Sequence, residues 1–145
     1  MAWADAKARI VAVLETLAIT EPEAQTIKRV YPNPPGSVTG VPCIVVYPPA
    51  LEVSRANSVR AKRYTVRLRL LLTDADLSQA AALVDAYREA IIDLFDAELT
   101  LSTTATAIEG PTVEEASSFT YGAKAYTGFD ALLTVHIEEG KAFSG

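Results

Sequence analysis

Few of this chain's residues are suited to chemistry. Among 145 residues there is one cysteine, one histidine, one methionine and one tryptophan. Cys43 alone closes no internal disulfide and offers no paired thiolate to a metal, which suits a reducing compartment. His136 alone leaves no partner for a paired-imidazole site. Gly36 and Gly40 sit among prolines and precede no helix, so they form no phosphate-binding loop. No segment approaches the roughly 20 apolar residues of a membrane span. The opening residues Met1–Asp5 lack the basic flank and apolar run of a signal peptide. Internal repeats, low-complexity tracts and linkers are also missing. A soluble chain made in a cytoplasm is expected, with no catalytic residues, no cofactor and no metal.

What is present fits one domain, residues 1–145, with a mobile tail at about 140–145. Half the residues are hydrophobic and about a fifth are charged, enough to bury a core without disulfides. The net charge of −5 argues against a general nucleic-acid binder. That charge is unevenly spread. Residues 1–73 carry ten Lys/Arg and five Asp/Glu, whereas residues 74–145 carry three and thirteen.

Hydrophobic spacing assigns the elements. Ile10, Val11, Leu14 and Leu17 predict a helix over Trp3–Ala18. A short strand is expected over Ile27–Tyr31, followed by a proline-rich loop to about Val41. Pro42–Tyr47 reads as a strand stopped by Pro48-Pro49. Ala50–Arg60 is polar without a clear period. Over Lys62–Leu72, the row Tyr64, Val66, Leu68, Leu70, Leu72 alternates with Arg63, Thr65, Arg67, Arg69, Leu71, the mark of a strand with one buried face. Asp76 is placed to cap a helix over Asp76–Glu98, with Gln79 at capping-box spacing. Its apolar stripe is Ala80, Leu83, Val84, Tyr87, Ile91, Leu94 and Phe95. Thr104–Glu109 reads as a strand ended by Gly110-Pro111, and Phe129–Ile137 as another amphipathic strand. The expected fold is α+β: a mostly antiparallel four- to five-stranded sheet with two helices packed on one face.

The candidate surface is basic. Arg55, Arg60, Lys62, Arg63, Arg67 and Arg69 are six of the thirteen Lys/Arg. Three readings fit: pairing with acids on neighbouring strands such as Asp130 and Glu138, an interface with another subunit, or contact with nucleic acid. Aromatic stacking does not accompany the charge, because Tyr64 points to the opposite face. Leu71 and Leu132 at outward positions, with Pro48-Pro49-Ala50-Leu51, point to an apolar patch of the kind found at subunit interfaces. His136 reads as a surface histidine and Cys43 as a buried structural one; nothing marks a dyad between them. The carboxylates at Asp93, Asp96, Glu98 and Glu114-Glu115 read as solvated faces.

A set of segments resembles a known family. They are Pro42-Cys43-Ile44-Val45-Val46-Tyr47-Pro48-Pro49, Arg63-Tyr64-Thr65-Val66 leading to Thr73-Asp74, Leu83-Val84-Asp85-Ala86-Tyr87 with Ile91, and Tyr126-Thr127-Gly128-Phe129-Asp130-Ala131. In this order the chain resembles the tail terminator (tail completion) proteins of long-tailed bacteriophages. The resemblance implies a virion protein: a homo-oligomer, a hexameric ring on the head-facing end of the tail tube. Its implied partners are the tail tube protein and the head–tail connector or stopper, with transient passage of DNA through the pore and no membrane. Assembly would occur in the host cytoplasm. It implies no catalytic, cofactor-binding or metal-binding residue. Neck or head-completion proteins (stoppers or adaptors) occupy the same region of a phage and are the alternative, followed by a small nucleic-acid-binding module.

Overall fold

A computed structural model describes residues 3–56, 59–101, 103 and 105–140. The tail expected to be mobile falls, beyond residue 140, outside the described residues.

Helix α1 (Trp3–Leu14) is shorter than its apolar spacing predicts. After Leu14 the backbone tightens, with Thr16 N–H donating to Val13 O and Leu17 N–H to Leu14 O, and Thr16 Oγ1 also donates to Val13 O. Leu17 still turns into the core. Strands β1 (Ala18–Ile19) and β2 (Gln25–Thr26) then form a separate small antiparallel sheet.

The main sheet is built on two long strands, β6 (Val59–Thr73) and β9 (Lys124–Gly140), paired antiparallel from Val59↔Gly140 to Thr73↔Thr127. Each carries two short strands along its outer flank. β4 (Cys43–Val46) and β5 (Ala50–Ala56) lie along β6, while β7 (Ala107–Val113) and β8 (Ser117–Tyr121) lie along β9. β3 (Arg29–Tyr31) runs parallel to β4. The α+β class holds, but the sheet has seven strands and is mixed, which overturns the expectation of four to five mostly antiparallel ones.

The differences have physical causes. β5 was hidden in the stretch read as polar because its residues Ala50–Arg55 are all exposed, and a period of two is conspicuous only where one face is buried. Pro48-Pro49 separates it from β4, although Tyr47 N–H still bonds Arg67 O. β8 is a polar edge. β7 does not end at Gly110-Pro111. Its register skips from Glu109↔Thr134 to Thr112↔Leu132, a bulge that absorbs the proline on an edge strand. Gly110 has φ +88°, and a Cβ there would meet Thr112 N at 2.9 Å and Leu132 O at 3.0 Å.

Helix α2 (Leu77–Asp96) begins as expected: Asp76 is its N-cap and accepts from Gln79 N–H at 3.1 Å. Ala80, Val84, Tyr87, Ile91 and Phe95 are buried in one cluster with α1's Ala6, Ile10, Val13 and Leu14. The same cluster holds Val66, Leu68, Leu70 and Leu72 of β6 and Phe129, Ala131, Leu133, Val135 and Ile137 of β9. Both helices therefore cover one face of the sheet. Trp3 stacks on Tyr64 with centroids 4.5 Å apart, fixing the start of α1 over β6.

The opposite face is partly covered as well. Tyr31, Cys43, Val45, Leu71, Tyr121 and Tyr126 form a second core, with Val38 and Val41 of the proline-rich loop packed on it. Leu71, expected to contribute to an exposed patch, is fully buried there.

Candidate intermolecular surface

The register of β6 sorts the six basic residues between two faces. Arg63, Arg67 and Arg69 share the face opposite the helices, with Leu71. Arg60 and Lys62 lie on the helix side with Tyr64, and Arg55 joins them through its pairing with Arg60.

Arg67 and Arg69 are answered within the chain. Arg69 donates from Nε to Asp130 Oδ1 at 2.8 Å and from Nη2 to Oδ2 at 3.1 Å. Its guanidinium also lies over the Phe119 ring, 4.1 Å from the centroid, and donates to Tyr47 Oη at 3.1 Å. Arg67 bonds Asp130 from its other side and reaches Glu114 at 2.8 Å. The hydrogen bond to Asp130 is the main cause that raises the pKa of both arginines. Asp130 is only 4 % exposed, so three charge-assisted hydrogen bonds from two arginines hold a carboxylate that would otherwise be costly to bury.

The segment Tyr126–Asp130 has a part in this at every position. Tyr126 joins the second core and Phe129 the first. Thr127 Oγ1 donates to Ala75 O at 2.7 Å. Gly128 passes so close to β6 that a Cβ would overlap the Leu70 carbonyl oxygen and sit 2.8 Å from its carbon. That approach lies at the β6 irregularity between Leu71 and Thr73.

Arg60 pairs with Glu139, and Lys62 reaches the same carboxylate at 3.3 Å. The acid is Glu139 and not Glu138, because Glu139 stands directly opposite Arg60. The acidic second half of the chain thus answers the basic first half mainly through the β6–β9 pairing. Arg55 and Arg63 remain: both are exposed and form no ion pair among the described residues.

These two sit on the β5–β6 hairpin. Its β5 edge pairs with no further strand among the described residues. The hairpin exposes apolar side chains: Leu51 is 50 % and Val53 40 % exposed on the helix-side face, and Val59 is exposed on the other. Leu51 was legible in advance. Val53 was not, although Leu51, Val53 and Arg55 alternate with Glu52 and Ser54.

A second exposed surface lies on α2. Asp85, Glu89 and Asp93 follow one another at i, i+4, i+8, and all are exposed without an ion pair among the described residues. Like charges at this spacing destabilise a helix slightly. Ile92, 39 % exposed, lies beside them. With Asp85, Arg88, Glu89 and Val113 it lines a groove between α2 and β7. Glu98 and Glu114, read as solvated, pair with Arg9 and Arg67.

The residues considered for chemistry are far apart. Cys43 stands opposite Leu71 and His136 opposite Arg63. Eight residues of extended β6 put them roughly 25 Å apart, too far for a dyad. Cys43 is fully buried, and desolvation pushes its thiol up to about 11, the reverse of an activated nucleophile. His136 faces Glu109 at 2.9 Å on the surface. Among the described residues no three His, Cys, Asp or Glu side chains are grouped to hold a metal, and no helix is long and apolar enough to cross a membrane. Compared with known proteins, the chain matches no family model and no curated sequence.

Proposed function

We propose that this chain is a structural virion protein without catalytic activity, a tail terminator of a long-tailed bacteriophage. In this reading six copies close a ring on the head-facing end of the tail tube, stop its growth and present a surface to the head–tail connector or stopper. The observation that carries it is the β5–β6 hairpin. An edge hairpin with exposed apolar side chains and two arginines that form no ion pair among the described residues is a poor monomer surface and a good subunit contact. The resemblance of ordered segments between Pro42 and Glu138 to the terminator family supports the same reading. Arg63, on the face away from the helices, is a cation without an ion pair among the described residues, available to a pore or a neighbour. A pore placement gives weak, salt-screened contact with passing DNA.

The test is arrest of polymerisation. Tail tube protein is allowed to polymerise with and without this chain, and tube lengths and ends are measured by electron microscopy, with native mass of the added protein in parallel. Bounded tube length with a six-copy ring at one end is the expected result. Unlimited growth with no ring at either end rejects the reading. Rings that bind isolated head connectors but not tubes move the protein to the neck.

A further inference from the structure

We propose that the helix-side face of the β5–β6 hairpin, formed by Leu51, Val53 and Arg55, docks into the α2–β7 groove of a second copy of this chain. It rests on the reading of the chain as a ring subunit and names the two surfaces that meet.

The two surfaces complement each other: both carry apolar side chains, and in the groove two acids outnumber the one arginine. The hairpin presents two apolar side chains and then an unpaired guanidinium. The groove presents Ile92 and Val113 beside the carboxylates of Asp85 and Glu89, which form no ion pair among the described residues; Asp93 follows one turn further along α2, outside the groove. Arg88 lines the same groove without forming an ion pair with either neighbouring acid. The spacings match. Alternate residues of a strand stand roughly 6.5–7 Å apart on one face, and residues four apart on a helix rise about 6 Å. Leu51 and Val53 can therefore sit against Ile92 while Arg55 reaches along the carboxylates. Contacts of this kind fix register and exclude wrong partners.

The occupant cannot be the chain's own hairpin. β5 is held against β6 by a continuous register from Ala50↔Thr65 to Ala56↔Val59. The groove lies at β7, on the far side of β9. Two complementary surfaces at opposite edges of one sheet make a heterologous contact, which repeats from copy to copy and closes when the rotation per copy divides a full turn.

The experiment uses the full chain, the single variant Arg55→Glu and three double variants, followed by sedimentation velocity and native mass up to roughly millimolar concentration. The hairpin variant is Leu51→Ser with Arg55→Glu. The groove variant is Ile92→Ser with Glu89→Arg. The third carries only the charge exchange, Arg55→Glu with Glu89→Arg. All four positions are exposed, and unchanged circular dichroism and unfolding midpoints check that the fold survives; Val53→Ser replaces Leu51→Ser if it does not. The hairpin and groove variants should each self-associate about thirtyfold more weakly or worse. Mixed in equal amounts they should stop at a dimer, because only one intact hairpin and one intact groove remain. The charge exchange should recover most of the association lost with Arg55→Glu alone. A monomeric wild type over the whole range, a hairpin variant that assembles like wild type, or a mixture of folded variants without dimer overturns the proposal. Self-association through these surfaces without arrest of tube growth rejects the terminator reading alone. Arrest by both variants at wild-type strength rejects this inference alone.

Discussion

Replacing Asp130 with Ala should cost far more than its one charge on the surface would. Three arginine nitrogens converge on its carboxylate, and the residue is nearly inaccessible. The cost falls unequally on the partners. Arg67 has a side chain 39 % exposed and keeps Glu114 and water, so its loss is that of a surface pair, about 0.2–1 kcal/mol. Arg69 is 22 % exposed and keeps the hydroxyls of Tyr47 and Tyr121 and the faces of Phe119 and Tyr47. Stranding a buried charge by removing its partner costs about 3–5 kcal/mol, and the residual exposure of Arg69 puts this case near 3 kcal/mol. Urea unfolding is the assay, at a concentration where the midpoint no longer depends on protein concentration. The midpoint should fall with the slope unchanged. Glu114→Ala is the internal control and should cost no more than about 1 kcal/mol. Removing both partners, Asp130→Ala with Arg69→Met, should recover a large part of the loss, because no charge is left stranded. Equal costs for Asp130→Ala and Glu114→Ala would refute the reasoning.

Gly128→Ala should destabilise by about 3 kcal/mol, since the new methyl meets Leu70 backbone, which has no rotamer to yield; a variant with an unchanged melting temperature contradicts that close approach. Ile91→Ala should cost about 2–5 kcal/mol and Leu83→Ala less, because Ile91 is fully buried and Leu83 half-buried; equal losses in thermal melts contradict the packing of α2. Alkali should weaken the fold in two stages. Burial holds Cys43 protonated to about 11 and Tyr87 and Tyr121 to about 12, so their contributions are intact below the unfolded pKa values and are lost as pH rises. The thiol part lies between roughly pH 9 and 11, is on the order of 2–3 kcal/mol, and should vanish in Cys43→Ala. Arg69, with its pKa raised by Asp130, adds nothing in that range, because its contribution fades only above the usual arginine value.

The elements that were legible in the sequence have one buried row. β6 and β9 each set alternate residues in the helix-side core, and α2 shows a helical stripe capped by Asp76. β5 also alternates, but with both rows in solvent its signal is Leu51 and Val53 among polar residues. Asp130 was foreseeable as a partner for the basic stretch, since a cross-strand carboxylate is the simplest answer to an arginine. The choice of Glu139 over Glu138 was not, because it depends on register, and a slip of one residue moves every side chain to the other face. Leu71 looked outward by alternation. It is buried because Tyr31, Tyr121 and Tyr126 assemble over it from segments far apart in sequence, along with the proline-rich loop. No local pattern in β6 records that cover.

The uneven charge of the two halves therefore does two jobs, separable by position. Where β6 runs beside β9, opposite charges face each other across adjacent strands and become part of the fold: Arg69 and Arg67 with Asp130, Arg60 and Lys62 with Glu139. Several charges without an ion pair among the described residues lie where that pairing cannot reach. Arg55 is on β5, one strand removed from β9, and Asp85, Glu89 and Asp93 are on the outer side of α2. Arg63 is opposite His136, a position with no carboxylate. A reversal at Arg67 or Arg69 thus perturbs folding first, and any loss of assembly in such a variant says nothing about an interface. A reversal at Arg55 removes no ion pair found among the described residues. An assembly defect at unchanged stability in that variant can come only from a contact that the isolated chain does not make.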